Sequence, residues 1–157
     1  MKPVNLDKPR EPRKGPFLPL SHDEQVRAIN KLFMACGTDT CARLRSELNA
    51  KRRGYYRQDA AKGRATSLDQ IISFDELVES LVASKLICKY CNRGVFLFYP
   101  SVRDPLQWTL DRVDNALAHT LENTCVSCLQ CNLQRRQRSH DAFVFTKKLR
   151  VAKAGGD

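Results

Sequence analysis

Four cysteines carry the clearest chemical signal in this chain. They form two pairs, Cys88 with Cys91 and Cys128 with Cys131, separated by 36 residues. Each CxxC turn aims two sulfurs at one point, and four thiolates complete the tetrahedral shell that structural Zn²⁺ prefers. One structural Zn²⁺ per chain is expected at these four residues. A redox reading of CxxC explains only one pair and wants a thioredoxin-like setting. Cys125 and Cys128 also form a CxxC, so the second pair can slip by three residues. If "TCVS" is a return strand, Cys125 belongs to it as a small buried apolar residue. Cys36 and Cys41 read as core residues of N-terminal helices. The total of seven cysteines is odd and argues against a disulfide framework.

The second pair ends a stretch dense in other chemistry, "WTLDRVDNALAHTLENTCVSCLQCNLQRR". With the preceding "CKYC", it resembles the HNH, or His-Me finger, nucleases of ββα-metal fold. The likeness is greatest to zinc-stapled forms among phage and viral enzymes and those of the recombination endonuclease VII type. It covers residues 86 to 138, about a third of the chain. The resemblance implies that a separate Mg²⁺ or Mn²⁺ sits between a hairpin and a helix. Asp111 is then its ligand from the first strand, Asn132 its ligand from the helix, and Asn123 the brace of the intervening loop. One carboxylate and one amide oxygen leave most of the shell of a hard cation open for a phosphate and the leaving oxygen. The family's usual base, a histidine directly after the metal-binding acid, is replaced by Arg112. Arginine cannot act as a base near neutral pH, but it can hold a phosphate. His119 and Asp114 are the candidates for the base; "DRVDN" itself resembles a recurring "DRIDN" variant of HNH-like sequences. A plain zinc ribbon also finds uses for such an acid and asparagine. His22 and His140 read as surface residues.

Charge points towards nucleic acid. The chain carries a net +10. Residues 43–64 hold eight Lys/Arg against Glu47 and Asp59, and residues 132–153 hold seven against Asp141. Two basic blocks flanking a nearly neutral middle suit a phosphate backbone and salt-sensitive binding. The expected contacts are Lys51, Arg52, Arg53, Tyr55, Tyr56 and Arg57 in the first block, and Arg135, Arg136 and Arg138 in the second. Guanidinium forks suit phosphates, and tyrosines can stack on bases. DNA is the expected partner. No apolar run approaches the ~18 residues of a membrane span, and the N-terminus lacks a signal peptide's apolar core. An intracellular location, cytoplasmic or nuclear, is expected.

Positioning these groups requires an α+β fold: a zinc-stapled ββα-metal core with a helical basic N-terminal region. Residues 1–20 hold five prolines and read as a disordered basic tail. Residues 21–66 read as a helical arm and 67–157 as the nuclease-like domain. Capping boxes at Ser21/Glu24 and Ser73/Glu76 predict helices over 22–35 and 74–85. A helix over 39–53 is expected to stop at Gly54, followed by a polar connector. Residues 95–99 read as a strand, "WTLDRV" and "TCVS" as two more, and "CLQCNLQRRQRS" as a helix. The helices at 22–53 offer a possible homodimer surface. The expected activity is metal-dependent hydrolysis of DNA phosphodiesters. The alternative is a catalytically silent zinc module that binds DNA or RNA.

Overall fold

The computed structural model describes residues 9–14 and 17–154, with side chains described up to residue 150. The fold is α+β. Helices α1 (His22–Phe33), α2 (Asp39–Ala61) and α3 (Phe74–Ala83) precede a hairpin of β1 (Trp108–Arg112) and β2 (Thr124–Cys128). Helices α4 (Leu129–Arg135) and α5 (His140–Ala154) follow it.

Local chemistry sets the helix starts. Ser21 and Ser73 each accept a backbone N–H from the glutamate three residues on, whose carboxylate returns to the serine N–H, as the capping boxes predict. Thr38 caps α2 by accepting from Cys41 N–H. The expected stop at Gly54 does not occur, because α2 runs on to Ala61. Its buried residues, Cys41, Leu44, Leu48, Tyr55 and Asp59, stay on one face across the glycine. An interior glycine costs about 1 kcal/mol; burying an aromatic the size of Tyr55 contributes about 1.5–3 kcal/mol, so the helix continues. The turn comes at Gly63, whose φ of +67° is left-handed.

Residues 95–99 form no strand of the hairpin sheet. Their amides are satisfied otherwise: Phe96 N–H donates to Leu106 O, while Leu97 and Phe98 N–H both donate to Gln25 Oε1. Gln25 is fully buried and returns its Nε2 to Phe98 O and Leu20 O. A side chain of α1 thus does the work of a neighbouring strand. Helix α5 was not among the expected elements; Phe143 anchors it in the core.

Part of the expected disordered tail is ordered. Residues 1–8, 15 and 16 lie outside the described residues, but Pro12 pairs antiparallel with Ser101. Arg13 donates to Pro100 O, ion-pairs with Glu47 at 2.8 Å and covers the Tyr99 ring. One apolar cluster runs from Ala28 through α2, α3 and the hairpin to Phe143, joining both sides of the expected 66/67 boundary. No helix among the described residues is long and apolar enough to cross a membrane.

The hairpin pairs Trp108 with Cys128, Thr109 with Ser127, and Asp111 with Cys125. Side chains alternate along a strand. Thr109, Asp111, Ser127 and Cys125 therefore share one face, while Leu110 and Arg112 take the other.

Candidate metal centre and its surroundings

Cys88, Cys91, Cys128 and Cys131 bring their sulfurs within 4.8 Å of one another. Two loops with the same logic aim them. Asn92 N–H donates to Cys88 O and Cys88 N–H to Arg93 O, folding the first knuckle around Asn92 at φ +59°. In the second, Cys128 caps α4 and its sulfur accepts Cys131 N–H. The Cys91 and Cys128 sulfurs lie 3.9 Å apart; a tetrahedral site with Zn–S near 2.3 Å requires an edge of about 3.8 Å. Thiols donating from Cys128 and Cys131 hold Cys88 far below the ordinary range, while sulfur crowding raises Cys131. This set can hold a structural metal ion such as zinc. Cys125 is not in it, so the pair does not slip. Cys36 is exposed, against the core expectation, whereas Cys41 is buried.

Strand alternation splits the other candidates between the two hairpin faces. Asp111 is 5% exposed and faces α4. Its Oδ2 accepts Arg135 Nη1 at 2.9 Å and the Tyr90 hydroxyl. Asn132 lies on the same side, but its amide donates to Thr109 Oγ1 at 3.1 Å. Thr109 is the next residue on that face of β1, about 7 Å along the strand from Asp111.

Two groups at Asp111 escaped the sequence reading. Tyr90, inside the first CxxC, is 1% exposed. His140, expected at the surface, is half-buried with Nδ1 3.0 Å from the Tyr90 hydroxyl. The Cys125 sulfur lies 3.6 Å from that hydroxyl, and burial pushes its thiol up to about 11. Burial, then Cys125 and Asp111, raise Tyr90 far above the ordinary phenol value. Asp111, Cys125 and His140 place donor atoms within 4.8 Å of one another. The available sequence signal was weak: a tyrosine between two paired cysteines and a histidine after a serine.

On the opposite face lies a second buried network. His119 is 3% exposed, and both its backbone N–H and Nδ1 donate to Asp59 Oδ2 at 2.8 Å. Asp59 comes from α2 and is fully buried; its Oδ1 has no hydrogen-bond partner and lies 3.8 Å from Arg112 Nη1. Arg112 donates to Asn115 O and Leu117 O, bracing the loop. Burial lowers the pKa of both His119 and Arg112. Asn123 ties the same loop, accepting Asp114 N–H and donating to Asp114 O and Ala118 O. Asp114 lies beyond the end of β1 and caps Ala116 N–H. Neither His119 nor Asp114 is brought to Asp111: one is held to α2, and the other is in the turn.

The basic blocks are only partly on the surface. Arg135 is 2% exposed; besides Asp111, it binds Arg112 O, Val113 O and Arg138 O. Lys51 donates to Trp108 O and Gln107 Oε1 and lies 4.3 Å over the Trp108 ring. Burial, then Arg13, lowers its pKa to about 7. Arg52 donates to Ile72 O and Leu68 O. The buried Tyr55 hydroxyl accepts Leu110 N–H, and Tyr56 donates to Thr66 O. These side chains make bonds within the fold: Tyr55 and Arg135 are buried, while Lys51, Arg52 and Tyr56 are half-buried. Arg53, Arg57, Arg136 and Arg138 remain exposed. His22, also expected at the surface, places Nε2 2.9 Å from Leu86 O.

Comparison with models of known protein families finds no match, and comparisons with curated proteins and with solved structures find none.

Proposed function

We propose that the protein is a metal-dependent, HNH-like phosphodiester hydrolase acting on DNA, with zinc in the four-cysteine centre. The observation that carries this reading is the Asp111 carboxylate. It stands on a hairpin strand against the helix that starts at the second cysteine knuckle, with exposed arginines continuing past that helix.

Arg135 and Tyr90 both use Asp111 Oδ2, and among the described residues no hydrogen bond to Oδ1 is seen. A free carboxylate oxygen with its partner oxygen firmly held is a sound metal donor, since ligating carboxylates are commonly fixed by a second layer of hydrogen bonds. A divalent ion there supplies Lewis-acid stabilisation of charge on a phosphate. Asn132 faces the same side and can hold a water or phosphate oxygen. Arg136 and Arg138 attract the backbone beyond the scissile position. In the overall reaction, water adds to phosphorus, the P–O bond to the leaving oxygen breaks, and that oxygen takes up a proton.

A second reading is favoured by a specific observation: the guanidinium on Asp111, together with Arg112 at the usual base position, suits a silent module that binds nucleic acid through its exposed arginines. Cleavage of supercoiled and branched DNA with Mg²⁺ or Mn²⁺ separates the two. The proposal expects nicking by wild type and at least about a 100-fold loss in Asp111→Ala. Binding without any nicking would support the silent module.

A further inference from the structure

The Asp111 oxygen, Cys125 sulfur and His140 nitrogen are arranged around one point, and a hydroxyl stands there. The Tyr90 oxygen touches Asp111 Oδ2, lies 3.0 Å from His140 Nδ1 and is 3.6 Å from the Cys125 sulfur. With Asp111 as a carboxylate, its hydrogen-bonding roles follow. The hydroxyl has one proton, which goes to the carboxylate, so it must accept from the histidine N–H and the thiol. A neutral oxygen with one donor and two acceptor positions is thereby matched to a carboxylate, an imidazole and a thiol. The same three side chains are ligands for a borderline transition ion.

We propose that Asp111, Cys125 and His140 form a second metal site, separate from the four-cysteine centre. Its ligand is a divalent transition ion of the Zn²⁺ or Co²⁺ class, which takes the position of the Tyr90 hydroxyl. This rests on the reading of Asp111 as a metal ligand, and not on any cleavage of nucleic acid.

Three features support it. The first is reach. Tetrahedral coordination with donors at 2.0–2.3 Å requires donor–donor separations of about 3.3–3.8 Å. The three atoms already lie within 4.8 Å of one another, so each must close by a distance on the order of 1 Å, a side-chain adjustment. The second is orientation. Asp111 and Cys125 are directly paired across the hairpin, which fixes them on one face, and α5 begins at His140 with Phe143 against the Tyr90 ring at 4.9 Å. The third is charge. One thiolate and one carboxylate neutralise a divalent ion, while Arg135, bonded to Asp111 Oδ2, fixes the carboxylate that faces the shared point. The site also selects among cations. A thiolate donor suits Zn²⁺ and Co²⁺ and is poorly matched to Mg²⁺, which demands oxygen ligands. Asn132, the donor that the family resemblance points to, gives its amide N–H to Thr109, whereas Cys125 and His140 bring donor atoms within 4.8 Å of the Asp111 carboxylate.

Tyr90 and the ion compete for one place, and this gives the test a signature that a structural role would lack. The full chain is first loaded with one equivalent of Zn²⁺ to fill the four-cysteine centre and is then titrated with Co²⁺, following the d–d bands and the thiolate charge-transfer band. The proposal expects one Co²⁺ per chain in a tetrahedral spectrum carrying a single-thiolate band. Cys125→Ala should lose that band, and His140→Gln should weaken binding at least about tenfold. Tyr90→Phe, which vacates the point, should bind Co²⁺ more tightly than wild type. Far-UV circular dichroism and retained zinc show that each variant is folded. A zinc-loaded wild type that takes up no Co²⁺, or a band unchanged in Cys125→Ala, would overturn the site. Weaker binding by folded Tyr90→Phe would overturn the shared position. Co²⁺ uptake without DNA cleavage would leave this site standing while the hydrolase reading falls. Asp111-dependent cleavage with Mg²⁺ but no Co²⁺ uptake would do the reverse.

Discussion

Replacing Arg135 with methionine should destabilise the protein more than any other single change to its basic residues. The guanidinium is 2% exposed and makes a 2.9 Å ion pair with Asp111, itself 5% exposed, while also serving Arg112 O, Val113 O and Arg138 O. Methionine restores much of the volume but none of the donors. Removing one member of a buried ion pair costs about 3–5 kcal/mol because the other charge is left behind. Here the Tyr90 hydroxyl still donates to Asp111, which argues for the lower end, and the abandoned carbonyls add about 1–3 kcal/mol if water cannot reach them. The expected loss is about 3–6 kcal/mol, a large share of the ~5–15 kcal/mol typical of a domain. Urea unfolding of the zinc-loaded protein measures it. Adding Asp111→Asn should recover about 2 kcal/mol, because the neutral amide no longer needs the cation. A loss below about 1 kcal/mol, or no coupling between the two sites, would refute the reasoning that Arg135 is an internal strut.

Other residues give independent checks. Gly54→Ala should stabilise by about 0.4–1 kcal/mol in urea unfolding, since the position is helical and an added Cβ meets nothing within 4 Å. Arg136→Ala with Arg138→Ala should weaken nucleic-acid binding and flatten the log–log salt dependence by about 1–2 units without altering stability; a change in stability with binding intact would reverse the assignment. His119 should contribute to acid sensitivity. Burial holds its folded pKa below the ordinary value, so the unfolded chain binds a proton first as pH falls through about 6.5. Stability should drop below that pH, and His119→Gln should show a shallower drop than wild type in unfolding measured from pH 7.5 to 5.

The elements whose causes are local were legible in the sequence. Ser21 and Ser73 announce α1 and α3 through chemistry three residues wide, and Cys88, Cys91, Cys128 and Cys131 declare a shared centre through the turn each pair makes. The hairpin followed from alternation. What was hidden depends on distant partners. Arg135 and Lys51 look like surface charges until Asp111 and the Trp108 carbonyl, 24 and 57 residues away, are brought to them. Residues 95–99 look like a strand because nothing local reveals that Gln25 bonds their amides. Asp111 and Arg112 are neighbours in sequence, yet the pleat sends one towards α4 and the other towards α2. His140 reaches Tyr90 only because the chain turns at Arg136, where φ is +51°.

The most direct test of the hydrolase reading is metal rescue on DNA in which one non-bridging phosphate oxygen is replaced by sulfur. If an ion held at Asp111 contacts the scissile phosphate, the sulfur-substituted strand should be cut far more slowly than normal DNA with Mg²⁺, and Mn²⁺, which accepts sulfur more readily, should restore much of the loss. Equal rates on both substrates with either ion, or no cleavage of either by zinc-loaded protein, would contradict a metal-dependent hydrolase.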